Sequence, residues 1–318
     1  MNEIILSVKD LNLDFVVDNK KVRILSNICF DVRKGSVVGI VGESGSGKTQ
    51  TMMSILGLLP KNAIVSGEIF YNDIDLLKLS ENKINEYRWN NISIAFQDSM
   101  TALNPYLTIK EQLIEPLLIH KHLGYDEAIR KALDMLDAVQ ISDAKKRINF
   151  YPHEFSGGMR QRVMIAMALI CEPEILIADE LTTALDVTVK AQIIKLLKEL
   201  QEKLHMSILF ITHDLGILSK IANEIIVMYC GHIMEHNTVN GIFNNPTHPY
   251  TNGLLASIPK LNDDVEELPF IPGEPPRLDN IMEGCPFASR CLYATERCRN
   301  EKPTQKITNN HVVSCFNF

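Results

Sequence analysis

The stretch Gly42-Glu43-Ser44-Gly45-Ser46-Gly47-Lys48-Thr49 sets glycines, a lysine and a hydroxyl at the spacing G-x-x-x-x-G-K-T, and Gln50 follows it. Glycines let such a loop curl until successive backbone N–H groups point at phosphate oxygens, and a following helix N-terminus adds to the attraction for anions. Lys48 is then placed for the β- and γ-phosphates, and the Thr49 hydroxyl for magnesium. The chemistry implied is binding of a nucleoside triphosphate with Mg2+. Further along, the apolar run Ile175-Leu176-Ile177-Ala178 ends in Asp179 and Glu180. A carboxylate in Asp179's position reaches the magnesium shell. Glu180 is placed to polarise an attacking water as a general base. A plain glycine turn and a pair of helix-capping acids are the alternatives, and each loses weight because the two motifs occur together in this order.

The elements that must hold these residues are short apolar runs ending at glycine-rich or polar turns. Val37 to Val41, Ile92 to Phe96, Ile175 to Ala178, Ile208 to Thr212 and Glu224 to Tyr229 have the length and β-branched content of buried strands. Between them lie helical patterns: Thr51 to Leu59 after the glycine loop, the stripe Val189, Ile193, Leu196 and Leu200, and the stripe Ile129, Leu133 and Leu136. Strands alternating with helices predict a mainly parallel sheet covered on both faces. Mostly helical patterns from about residue 98 to 165 predict an inserted helical subdomain. Beyond about residue 240 prolines become frequent and no long periodic segment survives, so residues 241–318 read as an irregular extension to a cassette spanning 1–240.

Composition narrows the class. The 318 residues are 46% hydrophobic and 22% charged, as in ordinary globular proteins. The longest apolar run, Val163 to Cys171, is far short of the roughly twenty residues of a membrane-spanning helix. The start lacks a secretory signal, and a cytosolic location is expected by default. A net charge of −7 argues against a general nucleic-acid binder. Of seven cysteines, Cys285, Cys291, Cys298 and Cys315 crowd into the last residues. Cys29, Cys171 and Cys230 sit among apolar residues and read as packing thiols.

With Phe155-Ser156-Gly157-Gly158-Met159-Arg160-Gln161-Arg162 lying between the two nucleotide motifs, the chain resembles the nucleotide-binding subunits of ABC transporters over nearly its whole length. The resemblance implies an α/β P-loop NTPase of the ABC nucleotide-binding fold, with an inserted helical subdomain and the Cys-containing C-terminal extension. Ser156, Gly157 and Gly158 resemble the family signature, whose amides face the γ-phosphate held by a second ATPase subunit, so that hydrolysis requires closure of a dimer. Gln97 resembles the glutamine that senses magnesium and couples to the membrane subunit. Asp186, in Ala184-Leu185-Asp186, resembles the loop that crosses the dimer interface. His213, in Ile211-Thr212-His213-Asp214, resembles the switch histidine that contacts the γ-phosphate and positions the catalytic glutamate. Phe15 is the candidate for stacking on adenine, and is equally readable as core. Leu181 stands where the family usually has proline, and Ser99 where proline is common; both bear on loop stiffness rather than on chemistry.

Two stretches resemble the oligopeptide/dipeptide importer branch: Thr247-His248-Pro249-Tyr250-Thr251, running on to Ser257-Ile258-Pro259, and Ile271-Pro272-Gly273, running on to Gly284-Cys285-Pro286-Phe287 and Arg290-Cys291. That branch implies uptake of short peptides, with nickel or other metal chelates as the alternative cargo and a soluble non-transport ABC ATPase as the alternative class. It also implies two transmembrane permease subunits, a second and non-identical ATPase, an extracellular substrate-binding protein and a place at the cytoplasmic face of the membrane. The spacing C-x5-C-x6-C-x16-C lacks the tight pairs that zinc favours. Related peptide-importer ATPases carry a [4Fe–4S] cluster on this motif, and four thiolates suit one; zinc and unliganded thiols remain the alternatives.

Overall fold

The computed structural model describes residues 3–96, 102–182, 185–258, 270–276 and 283–317. It divides into two compact units, the first built from both ends of the chain (1–33, 37–77 and 211–318) and the second from 34–36 and 78–210.

In the first unit, β1 (Ile4–Val17) and β2 (Lys20–Arg33) form a long antiparallel hairpin. Its two-residue turn, Asp18-Asn19, has φ of 49° and 60°, the left-handed pair that matches the twist of the flanking strands. Leu6 and Val8 are buried, and so are Leu11 and Leu13. Strict alternation would throw one of these pairs outward. A register shift between Val8 and Leu11, where Asp10 takes a φ of 46°, restores the phase. β3 (Val37–Val41) follows and is buried throughout. It leads through the glycine loop into α1 (Lys48–Ile55), then β4 (Ala63–Tyr71) and β5 (Ile74–Asp75). These complete a four-stranded antiparallel sheet in the order β2-β1-β4-β5.

The helix after the glycine loop is shorter than Thr51 to Leu59 and begins earlier. Gly47 is its N-cap, so the first turn already contains Lys48. At the other end Gly57 takes a φ of 63°. Its N–H bonds the Ser54 carbonyl at 3.2 Å, and the Leu58 N–H bonds Met53 at 2.8 Å. This paired closure unwinds a helix at a left-handed glycine.

The second unit holds α2 (Glu81–Tyr87) and β6 (Ile92–Ala95), then a helical stretch of α3 (Ile109–His120), α4 (Tyr125–Ala138), α5 (Ala144–Arg147) and α6 (Gly157–Leu169). Thr108 and Glu111 cap α3 reciprocally: the Thr108 N–H reaches the Glu111 carboxylate at 2.7 Å, and the Thr108 hydroxyl accepts from the Glu111 N–H at 3.3 Å. In α4 the fully buried residues are Ala128, Ala132 and Leu136; Ile129 and Leu133 are only half-buried. β7 (Ile175–Asp179) pairs with β6 in parallel, Ala95 opposite Ala178. α7 (Val187–Leu204) buries Ile193, Leu196 and Leu200 as the stripe predicts, adds Ile194 and Leu197, and leaves Val189 half-buried. β8 (Ser207–Thr212) carries the chain back to the first unit.

There, α8 (Leu215–Ile221) precedes β9 (Glu224–Tyr229), which pairs in parallel with β3, Val41 opposite Val227. β10 (His232–Thr238) returns antiparallel to β9. α9 (Val239–Asn244), α10 (Pro249–Ala256), α11 (Glu296–Asn300), β11 (Lys306–Thr308) and β12 (His311–Val313) are the short elements of the extension. β12 joins β10 antiparallel, Glu235 opposite Val313.

The staple of this join is Glu235, which is wholly buried. Its carboxylate accepts from the Thr247 and His248 N–H groups, each at 2.9 Å, and bonds His311 Nε2 at 2.8 Å. His248 is buried too, and burial pushes its pKa down to about 4, so the ring is neutral and its Nδ1 accepts from the Tyr250 N–H. Removing the carboxylate orphans two amides and a ring nitrogen, at about 1–3 kcal/mol for each group left buried and unbonded. Glu235→Ala is therefore expected to lower the unfolding free energy in urea by roughly 3 kcal/mol or more, and Glu235→Gln, which keeps an acceptor, by less. Equal losses in the two variants would contradict this account.

Candidate functional site

In the first unit the glycine loop starts where β3 ends. A β-carbon at Gly42 would lie 2.2 Å from the Met228 carbonyl oxygen of β9, so only glycine fits there. Lys48 is buried and donates to the carbonyls of Gly42 at 2.7 Å and Glu43 at 2.9 Å, with the Ser46 hydroxyl at 3.4 Å. Its ammonium thus closes the loop into a ring. Ser44, Gly45 and Thr49 are exposed on this loop. The Gln50 Oε1 atom is buried and accepts no hydrogen bond, which marks the next residue along as prepared for a missing donor.

A cleft of about 350 Å3 opens beside the loop, bounded by Glu43 to Ser46 on one side and by Tyr229, Cys230 and Glu274 to Pro276 on others. The loop, its lysine and this cleft fit a nucleoside triphosphate with magnesium in donor chemistry. His213, just past the end of β8, is exposed. The next residue, Asp214, caps α8 through the Ile217 N–H at 3.3 Å, which fixes the backbone after the histidine. Phe15 lies in β1, half-buried and opposite Val22 and Ala63.

In the second unit Asp179 ends β7 and is buried. Glu180 follows with a φ of 45°, in the left-handed region that costs a non-glycine residue about 1–3 kcal/mol and that concentrates at functional positions. The Gln161 side-chain amide, from α6, donates to the Leu181 carbonyl at 2.6 Å, and Leu181 and Thr182 are buried. Ser156 is the N-cap of α6, its hydroxyl accepting from the Met159 N–H at 3.4 Å, and Gly157 and Gly158 form the first turn. A β-carbon on Gly158 would press on Val189 of α7 at 3.1 Å. Asp186 caps α7 through the Val189 N–H at 2.9 Å. Gln97, Ser99 and Ala184 lie outside the described residues.

The four late cysteines meet. Cys285, Cys291, Cys298 and Cys315 line one small cavity with His248, Phe287 and Phe316. Burial pushes the Cys285 thiol up to about 11, and the three other cysteines add to the shift. Among the described residues, no three His, Cys, Asp or Glu side chains are gathered closely enough to hold one metal ion. The other cysteines differ from one another. Cys171 and Cys230 are buried, with thiols raised to about 11, whereas Cys29 is only half-buried and bonds Asp10.

One contact of the glycine loop has no counterpart in the motif pattern. Arg290 Nη1 pairs with the Glu43 carboxylate at 2.8 Å, and the Glu43 N–H donates to the Tyr250 hydroxyl at 3.0 Å. These partners lie more than two hundred positions from the loop, and nothing local in the sequence signals the pairing.

Comparison with known proteins agrees with this geometry. Residues 25–183 match the family model described as ABC transporter, and residues 234–298 match that of the oligopeptide/dipeptide transporter C-terminal region. The chain is 46% identical to the oligopeptide transport ATP-binding protein OppD of Salmonella typhimurium, covering 98% of this chain and 93% of that one. It is 47% identical to the dipeptide transport ATP-binding protein DppD of Bacillus subtilis, covering 99% and 95%. Among solved structures it is similar to a dimeric ATP-binding cassette in a post-hydrolysis state bound to ADP and phosphate, with a TM-score of 0.66 and 28% identity over 74% of this chain and 98% of that one. With two family models matched and near-complete coverage of peptide-transport relatives, the chain belongs to the ABC transporter family, among the ATP-binding proteins of its oligopeptide/dipeptide branch.

Proposed function

We propose that this protein is the ATP-hydrolysing motor subunit of an importer that moves short peptides across the cytoplasmic membrane. The observation that carries the reading is the near-full-length similarity to oligopeptide and dipeptide transport ATP-binding proteins, C-terminal region included. Gly42 to Gln50 cradle the triphosphate, with Lys48 on its outer phosphates. Thr49, Gln97 and Asp179 serve magnesium, and Phe15 stacks on adenine. Glu180 takes a proton from the attacking water, which bonds the γ-phosphorus as ADP leaves. His213 positions Glu180 against the γ-phosphate. Ser156, Gly157, Gly158 and Asp186 serve the nucleotide of a second, non-identical ATPase. Two transmembrane permease subunits and an extracellular binding protein complete the importer, and this subunit docks at the cytoplasmic face. Consistent with a peripheral subunit, no helix among the described residues is long and apolar enough to cross a membrane.

The test is made on the complex. Purification from gently solubilised membranes is expected to retain two multi-spanning proteins and a second ATPase. Glu180→Gln is expected to reduce ATP hydrolysis and labelled-peptide uptake by about a hundredfold or more, while ATP binding persists. Recovery of ribosomal or DNA-repair proteins without membrane partners would overturn the transport reading.

We also infer that Cys285, Cys291, Cys298 and Cys315 hold a [4Fe–4S] cluster. Convergence of four thiols on one apolar-walled cavity supports it. In a cluster each thiolate binds a different iron, so the sulfurs need not approach as closely as around a single ion. The cluster would pin the proline-rich extension. Anaerobically purified protein is expected to contain iron and acid-labile sulfide, both lost in Cys291→Ser. Stoichiometric zinc in place of iron would refute the assignment.

A further inference from the structure

Arg290 stands one residue before Cys291 in the extension, yet its side chain ends on the phosphate loop. All three guanidinium nitrogens are engaged. Nη1 donates to Glu43 at 2.8 Å and to the Tyr229 hydroxyl at 3.2 Å, Nε to the Pro272 carbonyl at 2.9 Å and Nη2 to the Ile271 carbonyl at 3.3 Å. The side chain is 6% exposed and its carboxylate partner 24%. The guanidinium also lies 5.7 Å from the Tyr229 ring centroid. Glu43 is therefore held at both ends, its carboxylate by Arg290 and its N–H by Tyr250. Between these two anchors its carbonyl accepts from Lys48. Tyr229, Tyr250 and Phe287 pack as a triangle with ring centroids 4.8, 5.3 and 5.2 Å apart, so the anchors are rigid.

The charge balance gives this clamp its meaning. A carboxylate on a loop built to receive a polyanion repels that ligand, and burial weakens the screening that would soften the repulsion. Arg290 cancels the charge and, through its fork, fixes where the loop stands. We propose that Arg290 is a positioning residue for nucleotide binding, which makes the C-terminal extension part of the nucleotide site. The proposal rests on the reading of the glycine loop as an ATP site. It would fail separately from that reading, which falls only if the parent chain itself does not bind MgADP.

The experiment measures MgADP affinity of the full-length chain and amide exchange of the loop in three variants. Arg290→Met leaves the Glu43 charge uncancelled and is expected to weaken MgADP at least about tenfold, the equivalent of 1.4 kcal/mol. Adding Glu43→Gln to Arg290→Met removes the repulsion and is expected to recover most of that loss. A merely structural role for Arg290 predicts no recovery. Arg290→Lys keeps the charge but not the fork, so it is expected to bind MgADP more tightly than the methionine variant and to exchange faster than the parent at Glu43 to Gly45. Unchanged affinity in Arg290→Met, or a double variant no better than the single one, overturns the proposal. Should Arg290→Met fail to fold, unchanged loop exchange in Arg290→Lys overturns it alone.

Discussion

The contact on which the nucleotide-binding half depends is the approach of Gly42 to the backbone of β9. With 2.2 Å between a hypothetical β-carbon and the Met228 carbonyl oxygen, the loop leaves β3 with its backbone pressed on the neighbouring strand. The parallel register of β3 and β9, Val41 opposite Val227, sets that approach one residue before the loop begins. From there the chain can curl around an anion only if its other constraints agree. Lys48 supplies one by bonding back to Gly42 and Glu43, and Gly47 supplies another by capping α1. Loop, lysine and helix start are thus consequences of one strand pairing and a residue without a side chain.

The end of β7 solves a different problem, holding a strained backbone without the proline common in its family. Glu180 takes a left-handed φ, and Leu181 has none of proline's intrinsic rigidity. The structure restores stiffness by other means. Leu181 is buried, and its carbonyl accepts a 2.6 Å bond from Gln161. Gln161 stands in α6, which also carries the glycines of the signature. The turn that follows Glu180 and the glycine turn at Gly157 and Gly158 are therefore fastened to the same helix.

How much of this was legible in the sequence depends on how local the cause is. The strands β3, β7, β8 and β9 fall within about a residue of the apolar runs that announce them, because buried parallel strands need little more than uninterrupted apolar side chains. Apolar spacing misplaces the helix after the glycine loop because its ends are set by Gly47 and Gly57. The β1–β2 hairpin escaped for a related reason: its bulges shift the alternation from Leu6 and Val8 to Leu11 and Leu13, so no single period describes it. The extension reads as irregular because its order comes from Glu235, a charged residue whose partners lie on two separate stretches of chain.

The pair of Glu43 and Arg290 is the extreme of that distance dependence, and stability alone is a poor reason for it. Taking two charges out of water costs about as much as their attraction returns, and a well-packed apolar pair often does better. What the ion pair supplies is direction. A guanidinium that also satisfies two carbonyls and a tyrosine hydroxyl has a single orientation, and it imposes that orientation on the carboxylate it meets. An apolar contact could fasten the extension to the loop with similar strength, but it could neither cancel the charge of Glu43 nor hold the residue between Lys48 and Tyr250 in one place. The glycine motif alone therefore describes an anion site that is incomplete, and its missing cation arrives with the last fifth of the chain.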